Sequence, residues 1–307
     1  MIIDANGMEI WAKQVLRWPD NRQWKQTDRN GRFRSVFGAG SAVVADIWNR
    51  IEASASIDKD AKPKHLLWAL VLLKVYQSDE VHCALVGWPS APTFRKWAWY
   101  FVERIALLKE SIIILANRFD GLDSEIYTHC FISVDGMDCP VNEPWPFNPE
   151  MYSEKSNGPG LKYEVAVCIK TGHIVWINGP FLASINDFTV FIHHGLGQAI
   201  TQEEGVEVDS GYLGDNRFMQ PHMGISSKER KQKAVVRGRQ EGVNGRLKVY
   251  SILRTHFHHF GTGPNARAEM MSRHKLCFEA VAVITQLKIS TGEPIFKDEV
   301  EYDVSYY

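Results

Sequence analysis

Apolar residues recur every three or four positions through the first third of the chain and then switch to alternation, so the sequence reads as helices followed by strands. Met8–Trp18 and Ser41–Ala53 carry the helical spacing, and Ser41 is placed to cap the second. Between them, Asp20–Arg34 is rich in Arg, Lys, Asn and Gln around Gly31 and Phe33 and is expected to be a basic loop, either solvated or facing nucleic acid. Pro63 opens a helix reaching Gln77, Ser78-Asp79-Glu80 starts a short one, Gly87-Trp88-Pro89 turns the chain, and Pro92–Lys109 forms a third. Short helix, tight turn and longer helix make residues 63–109 a candidate helix-turn-helix, with Thr93, Arg95 and Lys96 facing a DNA groove. Trp97, Trp99, Tyr100 and Phe101 leave that third helix apolar on most faces, which a buried three-helix bundle explains equally well.

From Tyr127 the period becomes two. Phe131–Val141 reads as a buried strand carrying a carboxylate, Asp135, followed at once by Gly136. A charge beside an apolar strand needs a partner or a metal; the plain alternative is that Asp-Gly marks a hairpin turn. A polar connection through Pro144, Pro146, Pro149 and Ser156–Gly160 follows, then strands at Leu161–Ile169 and His173–Gly179 about a Thr171-Gly172 turn. Ser184–Asp187 caps a short helix reaching His194, and Val206–Asp209 is a fourth strand, again ending on a carboxylate. Met270–Leu287 reads as a closing core helix, and the acidic, aromatic residues after Ser290 as a loosely docked tail. Three meandering strands, a helix, a strand and more helix follow the order of a ribonuclease H-like core. The expected class is therefore α/β: a ribonuclease H-like mixed sheet with flanking helices, preceded by an α-helical N-terminal region. The expected boundaries are 1–126 for the helices, 127–289 for the catalytic domain and 290–307 for the tail.

Composition narrows the setting. With 307 residues, 45% of them hydrophobic, the chain can bury a full core. A formal net charge of −1 supplies no global attraction to nucleic acid, so local patches would have to hold it. Five scattered cysteines without a Cys-x-x-Cys pair argue against a disulfide framework or zinc ribbon. No basic flank and apolar core open the chain, and the apolar run Leu66–Val75 is interrupted by Lys74 and too short for a bilayer, so a soluble intracellular protein is expected.

Hard divalent cations take oxygen ligands, and a pair of ions roughly 3.5–4 Å apart needs carboxylates from separate elements. In the proposed strand order the first and fourth strands are neighbours, bringing Asp135 and Asp209 together. Glu241, in Arg237-Gly-Arg-Gln-Glu241-Gly-Val-Asn244-Gly-Arg246-Leu-Lys248, offers a third acid on a helix, with Lys248 on the same helical face. Asp138, Asp215 and Glu143 read as surface or hydrogen-bonding residues. His256, His258 and His259 lack zinc spacing and read as packing beside Phe257 and Phe260.

Taken in order, Val134-Asp135-Gly136, Asn178-Gly179-Pro180 through Asp187, Val208-Asp209-Ser-Gly211-Tyr212 and Glu241-x-x-Asn244-x-x-Leu247-Lys248 resemble the PIF/Harbinger branch of DDE transposases and their domesticated relatives. The resemblance covers roughly Phe131–Leu287, and the helices from Pro63 onward are similar to what precedes the catalytic domain in that family. Arg237, Glu241 and Lys248 also resemble the Arg, Glu, Lys signature of bacterial insertion-sequence enzymes, whose Tyr is replaced here by Ala234. The resemblance implies a metal-dependent DNA endonuclease and strand transferase with Asp135, Asp209 and Glu241 as catalytic and metal-binding acids and two Mg2+ or Mn2+ ions as cofactor. Asp187 also matches a family Asp and is the alternative second acid; Asp209 is preferred because it ends a strand beside Asp135, whereas Asp187 sits where an acid caps a helix. Lys155, Lys162, Arg237, Arg246, Lys248 and the Lys228–Lys233 run would bind nucleic acid, with ordinary solubility the rival reading. The family further implies a nuclear location, DNA as partner, a Myb-like DNA-binding partner protein and a homo-oligomer, with no membrane. Two other classes stay open: a domesticated DNA-binding or interaction module that no longer cuts, and an unrelated ribonuclease H-like nuclease acting on RNA.

Overall fold

The computed structural model describes residues 2–18, 26–54, 57–121, 129–142, 146, 148–220, 223, 226–259, 265–291 and 293–295. Two compact units emerge: residues 1–112, 247–255 and 272–291 form one, and 113–246, 256–271 and 292–307 the other. This division differs from the boundaries expected from sequence, because 272–291 of the closing helix pack with the N-terminal helices.

The first unit holds α1 (Ala5–Leu16), α2 (Gln26–Phe37), α3 (Ser41–Ala53), α4 (Pro63–Val75), α5 (Asp79–Leu85), α6 (Ala91–Leu107) and α7 (Lys109–Ile112). At its centre is α4, where every residue from Leu66 to Leu73 is buried. A helix apolar on all sides must be covered on all sides, and α1, α2, α5 and α6 do so. The expected basic loop is a helix over its described part: Phe33 and Phe37, one turn apart with ring centroids 4.6 Å from each other, are buried and give α2 an apolar stripe. Residues 19–25 lie outside the described set. Ser41 is not the cap of α3; Gly40 holds that position, and the Ser41 hydroxyl donates to Glu9 Oε1 at 3.1 Å.

The second unit is built on a six-stranded sheet. Its strands are β1 (Cys130–Pro140), β2 (Tyr152–Ser153), β3 (Gly158–Cys168), β4 (Ile174–Leu182), β5 (Gly205–Glu207) and β6 (Phe218–Met219). β3 lies between β4 and β1, antiparallel to both, while β5 runs parallel to β1 and β6 parallel to β5. This mixed sheet with flanking helices is the expected ribonuclease H-like α/β arrangement. β1 does not stop at Asp135: it runs through Asp135-Gly136 to Pro140, paired with β3 throughout, so the dipeptide is neither a strand end nor a hairpin. The helix after β4 is capped by Asn186, whose side chain accepts from Phe188 N at 2.8 Å. It comprises α8 (Asp187–Thr189) and a wider π-type turn at Val190–His194. The remaining helices are α9 (Ser227–Leu247), α10 (Ser251–Arg254) and α11 (Ala266–Ser290). No helix among the described residues is long and apolar enough to cross a membrane.

Alternate residues of a strand face opposite sides of the sheet, and the two sides here are chemically different. One is apolar: Ile132 and Val134 of β1 and Val206 of β5 join Val208, Phe191, Leu196 and Phe218 in a core. The other carries Ser133, Asp135 and Glu207 and receives α9. Phe257 N donates to Pro140 O, and Asn142 N to Phe257 O, so buried Phe257 pairs beside the end of β1.

Gly136 shows how closely the apolar side is fitted around Asp187. A Cβ there would collide with the Asp187 carboxylate, which is paired with Lys162 Nζ at 2.8 Å. Gly136→Ala is expected to lower stability by about 1–3 kcal/mol, read as a lower urea midpoint with unchanged slope. An unchanged midpoint would contradict this packing.

Candidate active site

The functional side of the sheet depends on how α9 is attached. The helix carries few apolar residues, of which Val236, Val243 and Leu247 are buried. Polar side chains make the remaining connections. Lys233 Nζ reaches Glu207 Oε1 of β5 at 2.5 Å, both buried. Gln240 takes a hydrogen bond from Ser133 Oγ at 2.8 Å and donates to Val165 O at 3.2 Å. Arg239 donates to the carbonyls of Ile169 and Lys170 at 2.5 and 2.6 Å. One turn further on, Asn244 Nδ2 donates to Asp135 Oδ2 at 2.7 Å.

That attachment leaves a cleft of about 200 Å³ between the strands and α9, lined by Asp135, Asp209 and Glu241 together with Lys155 and Arg237. β1 and β5 pair Ser133 with Glu207, and carrying the register on by two residues sets Asp135 beside Asp209. Asp209 lies two residues beyond the end of β5, where its Oδ1 accepts from Gly211 N at 2.8 Å. Glu241 sits at the exposed mouth, its Oε1 3.0 Å from Arg237 Nε one turn back. The three acids expected from sequence therefore share one cleft. Asp187 does not line it: Gly136 lies under Asp187, and Gly136 and Asp135 point to opposite sides of the sheet.

The electrostatics follow from burial and crowding. Burial pushes the Asp135 carboxyl up to about 6; Lys155 opposes this, and the neighbouring charges of Asp209 and Asp187 add to it. Burial disfavours the Lys155 ammonium, but the carboxylates of Asp187, Asp135, Asp138 and Asp209 outweigh it and hold the group above its ordinary value. Lys155 Nζ also donates to Gly136 O at 3.1 Å and lies 3.7 Å from Asp187 Oδ2. Burial, reinforced by the carboxylates of Asp187, Asp135, Glu164 and Asp209, raises the Tyr212 phenol well above its usual range.

The other expected cations divide. Lys162 is buried and bound to Asp187 and, at 2.6 Å, to Ile185 O, so it is a structural ion pair and not a surface contact for nucleic acid. Lys233 is likewise buried, whereas Lys228, Arg230 and Lys231 are exposed on α9. Arg246 donates to the Glu293 and Pro294 carbonyls. Lys248 is exposed but lies one residue past the end of α9, not on its face. Asp138 is buried and accepts from Ser153 Oγ, and Asp215 is bidentate with Arg217, as hydrogen-bonding readings require. Glu143 lies outside the described residues. Neither Asn244 nor Gln240 had a role assigned from sequence; Asn244 stood in the Glu241-x-x-Asn244 motif, one turn from Glu241, and Gln240 carried no signal beyond lying next to Glu241.

The donor set suits a hard divalent cation: adjacent carboxylates in a partly buried cleft, with a third acid at its mouth. Among the described residues no three His, Cys, Asp or Glu side chains already converge closely enough to hold an ion. Completing such a site requires Glu241 to leave Arg237 and turn inward. Residues 134–286 match the family model described as DDE superfamily endonuclease. Over that span the chain is similar to the DDE superfamily endonucleases. No curated protein and no solved structure matches the chain. The match begins one residue before Asp135 and spans Asp187, Asp209 and Glu241.

The sheet also carries a buried acid whose ionisation costs stability. Glu164 of β3, opposite Gly136, accepts from Trp176 Nε1 at 2.8 Å and Leu196 N at 2.9 Å through Oε2, while Oε1 is buried without a partner. Burial pushes its carboxyl from 4.5 to about 7, an effect that the two hydrogen bonds only partly offset. Because the folded value exceeds the unfolded one, ionising Glu164 costs stability fully above pH 7, and the cost vanishes as pH falls below about 4.5. Glu164→Gln is therefore expected to raise the melting temperature at pH 8, by up to about 3 kcal/mol of stability, and to leave it unchanged or lower at pH 4.5. A loss at pH 8 equal to that at pH 4.5 would contradict the burial of an ionisable carboxyl there.

Proposed function

We propose that this region is a DDE-type endonuclease that cuts DNA phosphodiester bonds and joins the freed 3' ends to target DNA, with Asp135, Asp209 and Glu241 as the catalytic acids. The observation that carries this reading is the meeting of two neighbouring strand segments and one helix, each bringing a carboxylate, in a single cleft. Asp135 and Asp209 would hold divalent cations, Mg2+ or Mn2+, with Glu241 completing the set from α9. When bound, such ions acidify water and stabilise charge on the leaving 3' oxygen. The chain's own residues prepare the place. Asn244 fixes the rotation of the Asp135 carboxylate, and Lys155 and Arg237 bring positive charge to the cleft for phosphate oxygens. Exposed Lys228, Arg230 and Lys231 extend that surface along α9 for backbone contacts.

The ordered motifs support placement in the PIF/Harbinger branch, and with it a nuclear location. Near-neutral overall charge supports a role for a separate Myb-like protein in selecting DNA ends.

Cleavage of supercoiled DNA with Mg2+ or Mn2+ tests the assignment. Asp135→Ala, Asp209→Ala and Glu241→Ala are each expected to reduce nicking by more than about a hundredfold, since each removes several kcal/mol of charge stabilisation. Asp187→Asn, which keeps the shape beside Lys162, is expected to retain most activity. Loss in Asp187→Asn with retention in Asp209→Ala would make Asp187 the second acid. Activity should also rise with pH as Asp135 loses its proton, its metal-free midpoint lying near 6; a rate independent of pH between 5 and 8 would count against Asp135.

A further inference from the structure

The helical unit contains a second cleft, of about 500 Å³, that the cutting reaction does not use. Its walls include the indoles of Trp11, Trp68 and Trp88, the cations Arg17 and Lys64, and Thr93 in the first turn of α6. None of its described lining residues is acidic. Trp88 is 68% exposed, unusual for so large an apolar side chain. Its backbone is also strained: Trp88 has φ 62°, directly after Gly87 at φ 90°, in a region bulky residues rarely enter. A turn that holds an indole out of the core at a backbone cost is a place to look for a ligand. Lys64 Nζ stands 5.7 Å from the Trp68 ring, and Arg17 donates to Gly87 O at 3.3 Å, which places its guanidinium at the turn.

The chemistry selects the occupant. Two cations in the lining repel a cationic guest, which excludes the aromatic-cage use of tryptophans. A flat aromatic group carrying an anion satisfies these features: a face for the exposed indole of Trp88, and negative charge for Arg17 and Lys64. Stacking platforms combined with cations are how proteins take unpaired nucleotides without reading sequence. We infer that this cleft binds an unpaired nucleotide of a DNA strand, its base on Trp88 and its phosphate toward Arg17 and Lys64. Arg95 and Lys96 of α6 do not line this cleft, and Arg95 is engaged with Asp79 at 2.7 Å.

The inference rests on the reading of DNA as substrate, and its test separates the two. Binding of fluorescein-labelled oligo(dT) and of a fully paired duplex of equal length to the full chain is measured by anisotropy in EDTA, where no cleavage occurs. Wild type is expected to prefer the single strand. Trp88→Ala is expected to weaken that binding by about five- to a hundredfold, the range of one stacked base, while Trp88→Phe retains most of it and Lys64→Ala weakens it with a shallower salt dependence. Equal affinity for single strand and duplex, or oligo(dT) binding unchanged in Trp88→Ala, would overturn the inference. So would displacement of oligo(dT) only by an acidic aromatic peptide, which would make the cleft a protein-docking site. The metal-dependent nicking assay stands apart: nicking that requires Asp135 alongside Trp88-independent binding would sink this inference alone, whereas a chain that neither nicks nor binds DNA would sink both.

Discussion

The polar attachment of α9 to the sheet is the constraint on which the catalytic side depends. Buried polar groups must find partners, and Lys233, Arg239, Gln240 and Asn244 find theirs on β5, β3 and β1 or in the turn after β3. The neutral contacts of Gln240 contribute about 1 kcal/mol each net and those to charged groups about 1.5–3, and their fixed geometry specifies the seating of the helix as well as stabilising it. Rotating the helix by one residue would orphan all four at once. An apolar stripe would tolerate such slippage far better. The result is that Glu241, one residue after Gln240, must stand at the mouth of the cleft whose floor is Asp135 and Asp209.

Charge sets the second constraint. Carboxylates crowd both sides of β1, with Asp135 and Asp209 on the α9 side and Asp187 and Glu164 on the other. Lys162 answers Asp187 directly, and Lys155 lies where it feels Asp187, Asp135, Asp138 and Asp209 together. Burial first, and the neighbouring charges of Asp209 and Asp187 after it, are why the Asp135 carboxyl resists ionisation, with Lys155 opposing them. A site of this kind is poised for cations.

Alternation made β1, β3 and β4 legible, because strands of nine to eleven residues are long enough to display a period, β5 showed only as the short run Val206–Asp209, and α3 was legible to its ends. β2 and β6 are two residues long and have no period to show. The helix at Gln26–Phe37 was hidden by its polar surface, its order resting on two phenylalanines. At the site, the acids were legible as strand-borne and helix-borne carboxylates in order. What sequence could not give was pairing across long separations: Lys162 looked like a surface cation until Asp187 was seen against it, and Asn244 looked like helix surface until it met Asp135. That Asp135 and Asp187 face opposite ways follows from strand parity, but only once β1 is known to continue past Gly136.

The central claim is that strands and α9 together build one cation site on one side of the sheet. Crystals of the full chain soaked in Mn2+, with anomalous scattering used to locate the ion, test it most directly. The account expects manganese between Asp135 and Asp209, with Glu241 released from Arg237 and turned toward it. Manganese bound at Asp187, or a cleft that stays without metal while Glu241 keeps its pairing with Arg237, would contradict it.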